Sequence, residues 1–170
     1  MKSLIVSILY SALAAFAFGS CTISLTMSGA SIPENLSTFS VQYINNRAPL
    51  INPNLSQDLT EGLKDRIQKE SRLSLTEDRG DIEFSGNITG YSTQPMAIKA
   101  DAVSAQTRLN VSVKIQCRNF KDPKKDWEQS FSAYRDYDSE DNLADVEETL
   151  VSQLVEELTE NIFNKAFADW

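Results

Sequence analysis

The sequence predicts a two-layer α+β domain in which two helices pack on one face of a mostly antiparallel four-stranded sheet. Three observations support this fold class. Two segments carry apolar residues at helical spacing, the other segments alternate apolar and polar residues, and the elements follow one another as β-α-β-β-β-α. Helices grouped on one face of a sheet allow both layers to bury a single apolar surface. We find no internal repeat, so one folded domain is expected.

The first strand and the first helix are predicted from the residues between 38 and 71. Phe39, Val41 and Tyr43 alternate with polar residues, as in a half-buried strand. The helix is predicted to begin after Asn54, which caps it, with Gln57 three residues later as in a capping box. Its apolar residues recur every four positions and place one face against a core: Leu55, Leu59, Leu63 and Ile67.

The middle of the chain changes to a period of two. Ile82, Phe84 and Ile88 indicate a strand that Gly86 and Gly90 interrupt. The clearest alternation comes next, with apolar residues at Leu109, Val111, Val113, Ile115 and Cys117. A polar turn at 121–125 then leads to a third run, with Trp127, Gln129, Phe131 and Ala133 on one face. These last two strands are predicted to form a hairpin with a basic tip.

Residues 142–167 return to helical spacing. Their apolar stripe contains Leu143, Val146, Leu150, Leu154, Leu158, Ile162 and Phe167. The opposite face carries Glu147, Glu148, Glu156, Glu157 and Glu160. These carboxylates are spread along the helix instead of being focused in a loop with the oxygen spacing of a cation site. We interpret this face as solvated, with contact to a partner as the alternative.

The N-terminus has the layout of a secretory signal. Lys2 precedes an apolar run, and small residues stand immediately before Cys21. A cysteine at the cleavage site resembles the bacterial lipobox, in which that cysteine becomes the lipidated first residue of the mature protein. The apolar run is too short to favour a membrane-spanning helix, which needs about 20 residues. An ordinary signal peptide with an incidental cysteine is the alternative.

These features divide the chain into three parts. Residues 1–20 are predicted to be a lipoprotein signal peptide, 21–37 a lipidated tether, and 38–170 a single α+β domain. Cys21 is the predicted lipidation site, and membrane attachment through its acyl chains is the first functional expectation. An acylated Cys21 leaves Cys117 as the one remaining thiol. Because Cys117 lies on the apolar face of its strand, we interpret it as buried and inert.

The charge balance and the lack of histidine restrict the function. The net charge is −8 and the pI is about 4.6, which argues against nucleic acid as a partner. The chain contains no histidine, so Ser–His and Cys–His nucleophile pairs and His-ligated zinc are excluded. We predict no cofactor, no metal site and no enzymatic activity.

One basic cluster stands out in this acidic chain. Arg118, Lys121, Lys124 and Lys125 fall within one predicted strand end and turn. They are candidate contacts for a phosphate or sugar-acid group, since Arg binds such groups in bidentate fashion and Lys supplies a point charge. The alternative is that the cluster merely keeps the hairpin tip soluble.

The sequence resembles the LptE lipoproteins of the Bacteroidetes type, a lipopolysaccharide-assembly family. The resemblance rests on many short matches: MSGASIP (27–33), NRAP (46–49), NLS (54–56), LTEGLKDR (59–66), GD (80–81), GNIT (86–89), Tyr91 with PMAI (95–98), RL (108–109), VE (146–147), NIFN (161–164) and Trp170. Together they extend over essentially the whole predicted mature chain.

The resemblance implies both a fold and a function. Members of this family pack two helices on a four-stranded sheet, in agreement with the order predicted above. They are outer-membrane lipoproteins that plug the β-barrel LptD, assist its assembly and help to pass lipopolysaccharide to the outer leaflet. The implied partners are therefore LptD, lipopolysaccharide and, through the lipid anchor, the membrane. The implied location is the periplasm-facing side of the outer membrane.

Two other functions remain open from the sequence. The chain is alternatively an auxiliary lipoprotein of another cell-envelope assembly or transport complex. A lipid-anchored hydrolase is the third hypothesis, and it would need a Ser–Lys pair or paired carboxylates such as Asp136 and Asp138. Because these two aspartates lie near a predicted strand end, we interpret them as turn residues.

Overall fold

The structure is a computed structural model that describes residues 32–50, 52–96 and 105–168. The predicted signal peptide, Cys21, the first part of the tether and Trp170 lie outside the described residues. The elements are, in chain order, β1 (Thr38–Val41), β2 (Asn45–Asn46), α1 (Leu55–Glu70), β3 (Ser74–Leu75), β4 (Ile82–Pro95), β5 (Gln106–Asn119), a 3₁₀ turn (Pro123–Lys125), β6 (Trp127–Asp138) and α2 (Leu143–Phe167).

The sheet confirms the predicted fold class but is larger and partly parallel. Its strands are ordered β3-β1-β4-β5-β6, and β2 pairs with β4 beside β1. The pairs β4–β5 and β5–β6 are antiparallel, whereas β1 is parallel to β3 and β4, and β2 is parallel to β4. A parallel pair needs a crossover connection, which α1 supplies between β1 and β4. The sheet is therefore mixed, and the two additional strands are only two residues long.

Two strand boundaries differ from the predictions. The first strand ends at Val41, and Tyr43 is 57% exposed, because the chain leaves the strand and buries Ile44, whose backbone N–H donates to Thr60 Oγ1 at 3.1 Å. The second strand is one continuous β4 that runs through Gly86 and beyond, so the predicted interruption is wrong. The pairing register only shifts between Ile88 and Gly90, as in a β-bulge.

Both helices lie where their apolar periodicity predicts them, but the cap of α1 is different. The Asn54 side chain makes no capping hydrogen bond. Instead Asn52 Oδ1 accepts hydrogen bonds from the backbone N–H groups of Asn54 and Leu55, both at 3.0 Å. Asn52 therefore satisfies the donors that are unpaired at a helix start. The second helix is capped by Asn142, whose side chain accepts from the Ala144 N–H.

The core lies between the helices and one face of the sheet. The predicted stripe of α1 is fully buried, and so are the alternating apolar residues of β5. Phe84 of β4 meets Phe167 of α2 edge to face, with ring centroids 6.1 Å apart. Within the described ranges, the other face of the sheet carries no helix, and none of the helices there is long and apolar enough to cross a membrane.

Candidate functional site

The predicted basic tip is a structured turn between β5 and β6. The side-chain oxygen of Asn119, a buried residue, accepts hydrogen bonds from the N–H groups of Lys121 and Asp122 at 2.9 and 2.8 Å. The Asn119 N–H donates to Asp126 Oδ1 at 2.7 Å, which closes the turn from the other side. Asp122 accepts from the Lys124 N–H and caps the 3₁₀ turn. These hydrogen bonds fix the backbone of the turn, and its lysine side chains extend from that backbone.

A cleft beside this turn is lined by three lysines and one carboxylate, that of Asp126, so its lining is net positive. It has a volume of about 220 Å³, and lysines from two elements line it, namely Lys124 and Lys125 of the turn and Lys165 of α2. Its floor includes Cys117 and Trp127. The sequence does not indicate that Lys165 belongs to the cluster, because this residue lies far from the turn in the chain. Only the antiparallel packing of α2 against β6 brings the end of α2 to the start of β6.

Lys121 points to a different partner. Its Nζ lies 3.1 Å from Asp81 Oδ1, while Asp81 Oδ2 accepts hydrogen bonds from the N–H groups of Ser37 and Thr38 at 2.9 and 3.1 Å. The hydrogen bond from Ser37, together with the nearby Lys121 ammonium, lowers the pKa of Asp81 to about 2. Asp81 therefore links the basic turn to the place where the chain enters the domain.

Arg118 does not join the lysine cleft. It lies on the uncovered face of the sheet, directly across from Glu83 of β4. Because successive residues of a strand point to opposite faces, Cys117 lies on the core side. The interpretation of Cys117 as a buried thiol is confirmed, since this residue is 1% exposed and burial raises the pKa of its thiol. The four predicted site residues thus belong to three different surroundings.

The acidic face of α2 is only partly a solvated face. Glu147 accepts a hydrogen bond from the hydroxyl of buried Tyr91, and burial followed by this bond raises the Tyr91 pKa. Glu157 forms an ion pair with Arg135 of β6. Two of the predicted solvated carboxylates therefore fasten α2 to the sheet, whereas Glu148, Glu156 and Glu160 are exposed.

The two aspartates considered for catalysis have separate structural roles. Asp136 receives two hydrogen bonds from the Arg108 guanidinium at 2.7 and 2.8 Å, and this lowers the pKa of Asp136. Asp138 ends β6, and its Oδ1 accepts from the Glu140 N–H, as in the predicted turn. Within 32–50, 52–96 and 105–168 no group of three or more Cys, Asp or Glu side chains is placed to hold a metal ion.

The fold and these sites define a class of protein, a small two-layer α+β domain with a shallow lysine cleft at one end and an uncovered polar sheet. Solved structures share this fold at low sequence identity. A minor lipoprotein from Acinetobacter baumannii is 16% identical, with a TM-score of 0.53 over 79% of this chain and 94% of that chain. A protein from Xanthomonas campestris is 10% identical, with a TM-score of 0.53 over 82% and 93%.

A third structure, a hypothetical protein from Chlamydia trachomatis, is 11% identical with a TM-score of 0.51 over 78% of this chain and 99% of that chain. The family is identified by a match to the sequence. The model of the LptE family, described as lipopolysaccharide-assembly, matches residues 36–166. The chain belongs to the LptE family. No curated protein sequence matches it.

Proposed function

We propose that this protein is an outer-membrane lipoprotein, lipidated at Cys21, that plugs the β-barrel LptD, assists its assembly and takes part in transporting lipopolysaccharide to the outer leaflet. The observation that carries the proposal is the LptE family match over residues 36–166. The proposed role is that of a binding and scaffolding protein, not of an enzyme. No cofactor is required for it.

The point at which the described chain enters the domain fits this role. The described chain begins at Ile32, eleven residues after Cys21, and reaches the domain next to Asp81 and Lys121. Acyl chains on Cys21 would hold this end of the domain close to the inner leaflet, since durable anchoring needs more than one chain. The opposite end, which contains the β6–α2 connection, would then lie farther from the anchor.

The lysine cleft is the proposed contact for the lipid. Lys124 and Lys125, joined by Lys165, would bind a phosphate or acidic core sugar of lipopolysaccharide. Lys121 is close to the cleft residues in the chain, but it forms an ion pair with Asp81. Arg118 lies on the face of the sheet that no helix covers, across from Glu83. We therefore rank the cleft lysines above Arg118 and Lys121 as lipopolysaccharide ligands.

A pair of matched charge reversals tests this contact. Lys124→Glu with Lys125→Glu should weaken lipopolysaccharide binding by about tenfold or more, since a hydrogen bond to a charged group contributes about 1.5–3 kcal/mol. Lys64→Glu with Lys69→Glu makes the same charge change on α1, away from the cleft, and should leave affinity within about twofold, the change expected from screened surface charges. Equal losses in both variants, with unchanged circular dichroism, would exclude the cleft as the binding site.

The second candidate is an auxiliary lipoprotein of another envelope complex. Cross-linking of the full chain in outer membranes, followed by affinity purification, separates the two. A large β-barrel protein recovered in stoichiometric amount supports the plug. Recovery of a different complex without the barrel supports the auxiliary role and contradicts the proposal.

A further inference from the structure

The uncovered side of the sheet is a broad polar surface. We call it the open sheet face and define it by the even-numbered residues of β5 from Arg108 to Arg118 and of β6 from Glu128 to Asp136, with their partners on β4. Most of these side chains are hydroxyls and amides, among them Ser85, Asn87, Ser92, Asn110, Ser112, Gln116, Ser130 and Ser132. No helix or strand within the described ranges covers it.

Two of the three cations on the open sheet face form ion pairs, and the third, Arg118, stands across from Glu83. Lys114 Nζ lies 2.6 Å from Glu128 Oε1. The Arg108 guanidinium pairs with Asp136 and also stacks on the Tyr134 ring at 3.6 Å from its centroid. Since Arg118 and Glu83 stand directly opposite each other, the face carries three cations and three anions. Covering this face would therefore bury no charge that lacks an opposite charge beside it.

The face has the size and anchors of a protein interface. Strands β4 to β6 run side by side for 12 to 14 residues, which at the usual strand rise and spacing gives about 600 Å² of flat surface. A standard interface buries about 800 Å² on each partner. Tyr134 is 51% exposed on this face, and Tyr43 is 57% exposed at its margin beside a hollow of about 430 Å³. Exposed tyrosines are typical anchors of interfaces.

The outer surface of the helices has the opposite character. The two helices together contain ten Asp and Glu and four Lys and Arg, a net charge of −6. A groove between them, of about 590 Å³, is lined by Asp58, Glu61, Asp65, Glu147 and Glu148. Bringing this surface against another protein would require a partner with matching positive charge.

We propose that the open sheet face is the docking surface for the polar inner wall of the partner barrel, and that the helix surface faces water. The inner wall of a membrane β-barrel carries polar side chains that alternate with lipid-facing residues. The hydroxyls, amides and balanced charges of the open sheet face match the polarity of such a wall. This inference rests on the proposed plug function and adds to it which side of the domain contacts the barrel.

Site-specific photo-cross-linking in cells tests the assignment with the full-length lipoprotein. A photoreactive phenylalanine analogue is placed at Ser130 or Ser132 on the open sheet face, and at Thr149 or Ser152 on α2 as controls. All four side chains are exposed, so each replacement leaves the core intact. Adducts with the barrel should form from the sheet positions at least about fivefold more efficiently than from the helix positions.

Parallel purification of the unsubstituted chain separates the two possible failures. If the barrel co-purifies but the helix positions cross-link as well as or better than the sheet positions, the docking assignment is wrong and the plug function stands. If no barrel co-purifies and no barrel adduct forms from any position, the proposed plug function fails and the docking assignment falls with it.

Discussion

The two outer surfaces of this domain differ in how they handle charge. On the open sheet face each cation has an anion beside it, as Lys114 has Glu128 and Arg108 has Asp136. On the helices, acidic residues outnumber basic ones by ten to four. The overall charge of −8 is therefore unevenly distributed. The open sheet face is balanced, whereas the helix surface is strongly acidic. The balanced surface is suited to desolvation against a partner, whereas the acidic surface gains most from remaining in water.

The largest expected effect comes from adding a methyl group at Gly86, on the side of β4 opposite the open sheet face. A Cβ at Gly86 would lie 2.3 Å from the Lys114 carbonyl oxygen and 2.8 Å from Ile115 Cδ1. Because a backbone atom blocks the way, Gly86→Ala should lower the free energy of unfolding by about 3 kcal/mol, measured by urea titration.

Gly62→Ala is the matched control in the helix layer. Its Cβ would meet only side chains, Val155 Cγ1 at 2.9 Å and Thr159 Cγ2 at 3.6 Å, and alanine favours a helix by about 1 kcal/mol over glycine. This variant should change the free energy of unfolding by less than about 1 kcal/mol. A larger loss at Gly62 than at Gly86 would contradict the greater steric cost expected where the backbone is the obstacle.

The next effect concerns Asp81, which lies at the end of the sheet and outside both surfaces. Its folded pKa of about 2 is below the ordinary value of 3.8. The ionised carboxylate therefore stabilises the fold above about pH 4, and this contribution is lost as the pH falls from 4 to 2. Asp81→Asn should lower the free energy of unfolding by about 2 kcal/mol at neutral pH.

The pH dependence of that loss is the diagnostic result. Asp81→Asn and the unsubstituted protein should converge in stability as the pH is lowered from 4 to 2, because the carboxylate then becomes neutral in both. Binding to the barrel should persist, since neither outer surface is altered. A stability difference that stays constant with pH would show that the asparagine acts through packing and not through charge.

The smallest effect on stability is expected at the Lys114–Glu128 pair. Both side chains are about half exposed, so replacing both by Gln should change the free energy of unfolding by less than about 0.5 kcal/mol. Replacing Glu128 alone leaves Lys114 without its neutralising carboxylate on the open sheet face. Barrel co-purification should then fall for the single variant and be restored in the double variant. Equal recovery in both would argue against charge balance as the basis of docking.

The sequence predicts local elements well because their signals are local. The stripe from Leu55 to Ile67 and the alternation from Leu109 to Cys117 each determine one buried face, and both faces are buried in the structure. The prediction fails where a tertiary contact overrides the pattern. The alternation at Tyr43 is broken by the burial of Ile44, and the predicted cap at Asn54 is replaced by one from Asn52.

The candidate site was harder to predict than the fold. Four basic residues that are close in sequence were expected to act together, but alternation of the strand sends Arg118 to the open sheet face. Lys121 is engaged by Asp81, which is distant in the chain. Lys165 reaches the cleft only because α2 runs antiparallel to β6. The surroundings of these three side chains depend on contacts between distant segments, which no short-range sequence pattern predicts.

Quantitative co-purification of the barrel with two matched variants tests the central claim most directly. Ser132→Arg places a bulky cation halfway along β6 on the open sheet face, and Ser152→Arg makes the same replacement at an exposed position of α2. The barrel should be recovered at less than about one tenth of the normal amount with Ser132→Arg, because the added side chain would clash with a docked wall and leave its charge unpaired. Recovery with Ser152→Arg should remain normal. Normal recovery with Ser132→Arg and loss with Ser152→Arg would show that the helix surface docks instead.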